Sequence, residues 1–291
     1  MTNDNFLFPD FMKFTKMHGL GNDFIFFENP DKIDLDYKSI AIKWCHRQLG
    51  IGGDGIVAIL PSEVADLRMR IINADGSEAN MCGNAIRCFA RFAYERGLVK
   101  SKIFRIETFA GIIIPEVIIK DGKVASVRVN MGKPNTERQF ISMLGDEKEA
   151  IQVPVQVGNQ EFKLTSLLMG VPHSMVFVDD VNTIELERIG RSIEKHKLFS
   201  NGTNVNFVEV IDRGRIKVRT WERGAGATLA CGTGCCASAV ASVINQYTDR
   251  KVIVELQHGQ LEIEWAEDGT VLMTGPAEES FSGIVEMEYM N

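Results

Sequence analysis

Two cysteines of this chain stand in matching surroundings. Cys82 lies in NADGSEANMCGNAIRC, residues 73 to 88, and Cys231 in ERGAGATLACGTGCCASAV, residues 222 to 240. In both, a strand-like run leads through a polar, glycine-bearing turn into Cys-Gly and then into a helical pattern, marked after Cys82 by Ala85, Ile86, Phe89 and Phe92. Each thiol is therefore expected at a helix N-terminus, where unpaired backbone N–H groups and the helix dipole favour negative charge. The expected consequences are a thiol pKa below the usual value of about 8.5 and a set of amides able to hold a carboxylate, with Gly83 and Gly232 leaving room for a ligand.

A thiolate and a thiol on opposite sides of one carbon can remove a proton from one face and return a proton to the other, which inverts the centre. The carbon acid is weak, so its developing charge needs stabilisation, and two helix N-termini aimed at the substrate carboxylate would supply it. One thiol must be charged and the other neutral, so the two titrate as a couple. Two other classes remain open at this point. A cysteine hydrolase pairing Cys231 with His173 predicts an acyl-enzyme and no use for Cys82, and a nonenzymatic binding protein needs only the amides.

The other thiols read as packing residues: Cys45 in an amphipathic helix, Cys88 and Cys235 at interior helix spacings, and Cys236 in a run of small residues. Six cysteines in 291 residues are too sparse for a disulfide scaffold, and no C-x-x-C occurs, so structural zinc is not expected. Gly50, Gly52 and Gly55 of GIGGDG, residues 50 to 55, fit the dinucleotide pattern G-x-G-x-x-G literally. A helix precedes them and the strand IVAIL follows, the reverse of the required context, so they read as a glycine turn.

The elements that must position these thiols alternate. Strand content appears in FIFFEN (24 to 29), IVAIL (56 to 60), LRMRIINA (67 to 74), IFRIETFAG (103 to 111), GIIIPEVIIKDG and KVASVRVNMG. Helical spacing appears in SIAIKWCHRQLG (39 to 50) and NAIRCFARFAYERGL (84 to 98). The second half repeats the order: strand SMVFVDDV, helix TIELERIGRSIEKH, strands NVNFVEVID and RIKVRTWE, helix TGCCASAVASVINQY, then strands KVIVELQHG, QLEIEWAEDG and TVLMTGP. Gly21 and Gly170, Gly53 and Gly202, and Cys82 and Cys231 are each 149 apart. A β-rich α/β protein of two similar, pseudosymmetric domains is expected, with the connection near residues 128 to 150, where MGKPNTERQF and LGDEKEA lie.

A net charge of −7 argues against nucleic acid as a partner. The stretch MTNDNFLFPDFMKF has acids where a signal peptide needs bases and its apolar residues are broken by Pro9, Asp10 and Lys13, and no run of about eighteen apolar residues occurs, so no membrane association and a cytoplasmic location are expected.

With these residues assembled, the chain resembles the diaminopimelate epimerase family, pyridoxal-independent enzymes of lysine and peptidoglycan-precursor synthesis. The resemblance is carried by MHGLGNDF (17 to 24), NADGSEANMCGNAIRC (73 to 88), GTNVNFVEV (202 to 210), RTWERGAGATLACGTGCCA (219 to 237) and MTGPA (273 to 277). It implies interconversion of LL- and meso-diaminopimelate by Cys82 and Cys231 as two bases, without a cofactor or metal. It implies domains over 1–127 and 128–277, each a sheet wrapped around a central helix, with strand 278–291 returning to the first and the active site in the cleft between them. A small amino-acid substrate is the partner implied, and a homodimer is an assembly open to the chain. By position, Asn22, Asn73, Asn204, Glu222 and Arg223 match the family's substrate contacts, and Gly83-Asn84 and Gly232-Thr233 its backbone cradles. His173, with Glu222, matches groups that tune the thiols. Arg223 would hold the distal carboxylate bidentately, and Arg223, Asn73 and Asn204 together favour a substrate charged at both ends. Val171, Ala227 and Gly55 depart from the pattern, where asparagine, glutamate and glutamine are found in family members. A racemase of another amino acid, such as histidine, is the alternative.

Overall fold

The computed structural model describes residues 11–29, 31 and 33–286. Residues 1–10 of the first expected domain and 287–291 of the expected C-terminal strand lie outside the described residues. In chain order the elements begin with β1 (Phe11–Gly19), β2 (Asn22–Glu28), α1 (Tyr37–Trp44), β3 (Gly55–Leu60), β4 (Leu67–Asn73), β5 (Glu78–Ala79) and α2 (Gly83–Glu95). Next come β6 (Ile106–Thr108), β7 (Gly111–Ile113), β8 (Glu116–Lys120) and β9 (Lys123–Asn130). The second half holds β10 (Ala150–Val157), β11 (Gln160–Met169), β12 (Val171–Phe177), α3 (Leu186–Glu194), β13 (Asn204–Asp212), β14 (Arg215–Glu222), β15 (Gly226–Thr228) and α4 (Gly232–Ile244). It closes with β16 (Lys251–Leu256), β17 (Gly259–Trp265), β18 (Val271–Gly275) and β19 (Glu278–Glu286). The fold is mixed α/β, as the alternating pattern implies.

The chain separates into two compact units, one reaching to Val127 and resuming at Pro276, the other Arg128–Gly275. In the first, the strands run β19-β1-β2-β3-β4-β6-β7, with β5 on β4. The FIFF and IVAIL runs are apolar on both faces because both are covered. Ile25, Phe27, Ile56 and Ala58 pack on Tyr37, Ile40, Ala41 and Trp44 of α1. Phe26, on the opposite face, stacks on Phe92 of α2 with ring centroids 5.9 Å apart. Helix α1 is shorter than its pattern, ending at Trp44. The chain there bends into the glycine turn, with Gly52 N donating to Trp44 O at 2.8 Å and Gly53 N to Cys45 O at 3.1 Å. Gly52 has φ +80°, a conformation that glycine adopts without a steric penalty.

Strand β1 lies outside the sequence reading because Lys13 and Lys16 interrupt its apolar run. Lys16 is nevertheless buried, its ammonium 2.9 Å from Asp23 Oδ2 and donating to the Gly52 carbonyl. The C-terminal β19 pairs antiparallel with β1, Lys13 opposite Ile284. Just before it, the carbonyls of Pro276 and Ala277 accept from Arg87 Nε and Arg91 Nη1.

In the second unit the strands run β10-β11-β12-β13-β14-β16-β17-β18, with β15 on β14. They wrap around α4, which touches β11 to β14 and β16 to β18. The glycines, alanines and serines of this helix allow so many strands to approach one cylinder. Helix α3 packs apart from α4, with Ile189, Ile193, Val205, Phe207 and Trp221 in one cluster.

The two units share a topology, with equivalent residues 149 apart. Helix α2 begins at Gly83 and α4 at Gly232. The parallel pair Phe24↔Gly55 recurs as His173↔Asn204, the antiparallel pair Ile56↔Ile72 as Val205↔Trp221, and Ile71↔Ala79 as Thr220↔Thr228. The offset read from a few glycines and cysteines is thus a register of hydrogen-bonded strands.

Candidate functional site

Cys82 is the N-cap residue of α2, in extended backbone with φ −141° and ψ 121°. Its position follows from the chain leaving β4 through the turn Asn73–Ser77, where Asn73 Nδ2 donates to Ser77 Oγ at 3.0 Å, and returning along β5. Cys82 Sγ is 3.7 Å from Asn22 Oδ1, which also accepts from Asn84 Nδ2 at 3.0 Å. Asn22 is held in turn: its Nδ2 donates to Asp54 Oδ2 at 2.7 Å, and the other Asp54 oxygen accepts from Arg47 Nη2 at 2.7 Å. Arg47 also reaches Asp23 Oδ1 at 2.9 Å. Burial opposes the Asp23 charge, yet Arg47 and Lys16 keep that carboxyl below its ordinary pKa. Asn22, Asn84 and Cys82 are therefore brought together. Asn73 sits in the turn leading to them.

Cys231 is the N-cap residue of α4, and its Sγ accepts from Gly234 N at 3.3 Å. Thr233 Oγ1 lies 3.5 Å from the same sulfur and 3.0 Å from His173 Nε2. His173 is fully buried, and burial followed by the Arg223 charge pushes its pKa down to about 3, so the ring is neutral. Around the next turn, Arg223 N donates to Asn204 Oδ1 at 2.8 Å and Arg223 Nη1 to Asn201 O at 2.7 Å. Thr228 Oγ1 donates to Glu222 Oε1 at 2.6 Å. Cys231, Thr233 and His173 thus form one cluster, while Asn204 spends its side-chain oxygen on the backbone of Arg223.

One electrostatic expectation is corrected. The helix-start position by itself implies a lowered pKa for both thiols. For Cys231 the direction is upward: burial is the largest cause, the Glu222 charge adds to it, and the hydrogen bonds from Thr233 and Gly234 only partly offset them.

Five contributing residues were not read from sequence: Asp54 and Arg47 behind Asn22, Asn206 and Thr220 behind His173, and Glu194 beneath the Arg223 turn. Asn206 alone carried a signal, since its spacing of two from Asn204 puts both on one face of β13.

The diaminopimelate epimerase family model matches residues 14–137 and 165–279. A protein named diaminopimelate epimerase from Pelotomaculum thermopropionicum is 49% identical over 278 residues, covering 94% of this chain and 98% of that protein. The chain belongs to the diaminopimelate epimerase family. It is accordingly an isomerase of the epimerase type. Solved structures extend the likeness of fold beyond diaminopimelate epimerases. A phenazine biosynthesis family protein from Bacillus anthracis aligns with TM-score 0.70 at 16% identity, over 95% of this chain and 99% of that one. A hydroxyproline epimerase from Agrobacterium vitis, solved with bound trans-4-hydroxy-L-proline, aligns with TM-score 0.68 at 14% identity, over 96% and 94%.

Two of the departures from the diaminopimelate epimerase pattern now have a structural setting. Val171 occupies the position equivalent to Asn22, so the Cys231 cluster uses Thr233 and His173 where the Cys82 cluster uses Asn22 and Asn84. Gly55 is equivalent to Asn204, but a Cβ there would meet Ile72 O at 2.7 Å. Ala227 is exposed on β15, and nothing in the structure explains it.

Proposed function

We propose that this enzyme interconverts LL- and meso-2,6-diaminopimelate, in lysine and peptidoglycan-precursor synthesis, with Cys82 and Cys231 as the two bases and no cofactor. The observation that carries the reading is the equivalence of the two cysteines: each is the N-cap residue of the corresponding helix of a repeated unit. One, as thiolate, takes the α-proton; the other, as thiol, delivers a proton to the opposite face; the reverse reaction exchanges their roles. The first amides of α2 and α4, at Gly83-Asn84 and Gly232-Thr233, stabilise the charge that develops toward the α-carboxylate.

Asn22, Asn73 and Asn204 contribute amide groups, and Arg223 with Glu222 faces the carboxylate and ammonium of the substrate's ends. Burial and Glu222 favour the thiol form of Cys231, so binding of a substrate ammonium, which counters Glu222, assists its ionisation. His173 tunes this thiol through Thr233. Among the described residues no helix is long and apolar enough to cross a membrane, which supports our placing the enzyme in the cytoplasm. A homodimer is the assembly we propose.

In deuterium oxide, enzyme and LL-diaminopimelate without pyridoxal phosphate should give meso product carrying deuterium at the inverted carbon. Inversion without deuterium, or no inversion, would end the reading. Cys82→Ala and Cys231→Ala should each abolish inversion. A panel including histidine should show diaminopimelate turned over with the highest kcat/KM.

A further inference from the structure

His173 lies within β12, in parallel register with β13, so that Met175 stands opposite Asn206. The Asn206 side chain has partners of defined character at both ends. Its Nδ2 lies 3.2 Å from His173 Nδ1 and 3.8 Å from Met175 Sδ, an acceptor. Its Oδ1 accepts from Thr220 Oγ1 at 3.0 Å. Turning the amide over would set its oxygen against the thioether sulfur and lose that donor contact. The amide therefore presents an N–H to His173 Nδ1, which must be unprotonated to accept it.

The ring proton of neutral His173 then sits on Nε2 and is donated to Thr233 Oγ1, 3.0 Å away. With that lone pair engaged, the Thr233 hydroxyl has its own proton to direct at Cys231 Sγ, 3.5 Å away, beside the Gly234 N–H at 3.3 Å. The convergence depends on Gly234, where any Cβ would collide with Asn206 Oδ1 and lie 3.2 Å from Cys231 Sγ.

We propose that Asn206 is a positioning residue: held by Thr220 and Met175, it fixes His173 as the neutral Nε2–H tautomer and so makes Thr233 a hydrogen-bond donor to Cys231 Sγ. The functional half of this statement rests on Cys231 acting as a base. Two donors at the sulfur favour the thiolate over the thiol without placing a formal positive charge beside it. The charged and titratable groups around the cluster work in known directions. Arg223 opposes protonation of His173, and Glu222 and Cys235 oppose ionisation of Cys231. An imidazolium would carry a proton on Nδ1 facing the Asn206 N–H, a donor against a donor.

The test is ring-nitrogen NMR of the full-length enzyme labelled with 15N at histidine, between about pH 5.5 and 8.5, the range in which an ordinary histidine titrates. His173 should remain the neutral Nε2–H tautomer throughout; an Nδ1–H tautomer, or an imidazolium at neutral pH, overturns the proposal. In Asn206→Asp the acceptor should draw the proton to Nδ1, with kcat falling roughly 10²-fold and KM changing far less. A moved tautomer with unchanged kcat would overturn the link to Cys231. If this variant does not fold, the wild-type spectrum still decides the tautomer. A wild-type enzyme with the Nε2–H tautomer but no α-proton exchange would sink the two-base reading and leave the imidazole assignment standing.

Discussion

Trp221 Nε1 donates to Glu194 Oε2 at 2.7 Å, and the other oxygen of that buried carboxylate accepts from Gly224 N at 3.3 Å. The end of α3 thereby clamps the turn that presents Glu222 and Arg223, with Asn204 clamping Arg223 N from β13. Glu194→Ala leaves a buried indole N–H and a backbone N–H without these acceptors. The expected cost is about 1–3 kcal/mol for the lost buried partner, read from the denaturant midpoint. Substrate KM should rise as well, because Arg223 loses its fixed turn, while Glu194→Gln, which keeps an acceptor for Trp221, should lie in between. Wild-type KM in the alanine variant would show that the clamp does not order the turn.

His173 makes stability fall in acid. Its pKa is about 3 in the folded protein against the usual 6.5. Between these values the unfolded chain binds a proton that the folded chain refuses, so the contribution is intact above about pH 6.5 and is lost as pH falls toward 3. The full loss is of order 4–5 kcal/mol, at about 1.4 kcal/mol per pKa unit. Carboxylates titrate over the same range, so the informative quantity is the difference between wild type and His173→Gln. That difference should narrow from pH 7 to pH 4 in chemical denaturation, and parallel curves would contradict the burial of a neutral ring.

The thiol positions were legible because a helix start is a local event: a polar turn, Cys-Gly and an apolar period of 3.6 suffice to place Cys82 and Cys231. The repeat was legible because the offset of 149 survives in glycines and cysteines. What stayed hidden depends on register across strands distant in sequence. Asp54 reaches Asn22 only because β2 and β3 run parallel, and Asn206 reaches His173 only through the same pairing of β12 and β13. The direction of the Cys231 shift departs from the helix-start expectation for a related reason. The helix-terminus effect is local, whereas the burial and the Glu222 charge that outweigh it arise only once the chain is folded.

Gly55 shows how the repeat diverged under steric control. It opens β3 opposite both Phe24 and Asn73, and a Cβ would lie 2.7 Å from Ile72 O, a backbone atom of the neighbouring strand. The equivalent Asn204 has room for a side chain and uses it on Arg223. Gly55→Ala should push β3 from β4 and destabilise by about 1–3 kcal/mol, as overpacking does. A thermal midpoint equal to wild type would mean that the ladder yields more easily than its spacing implies.

On the two-base proposal, Asp54 is expected to govern the step assigned to Cys82 by fixing which way Asn22 faces. Its Oδ2 accepts from Asn22 Nδ2 at 2.7 Å and from Asp23 N at 3.1 Å, so the Asn22 oxygen is left pointing at Cys82 Sγ and Asn84 Nδ2. That oxygen can accept the Cys82 S–H, which keeps the thiol oriented as a proton donor. Asp54→Ala releases the amide, and a reversed Asn22 would offer an N–H to the sulfur, favouring the thiolate instead. Asp54 touches neither thiol, so the effect should be a displaced pH profile together with a lower kcat, by roughly tenfold for each 1.4 kcal/mol of lost alignment. Arg47→Ala, which removes a neighbour of Asp54 while leaving its bond to Asn22, should shift the profile less. Equal shifts in the two variants would assign the effect to the charge of the Arg47–Asp54 pair rather than to the orientation of Asn22.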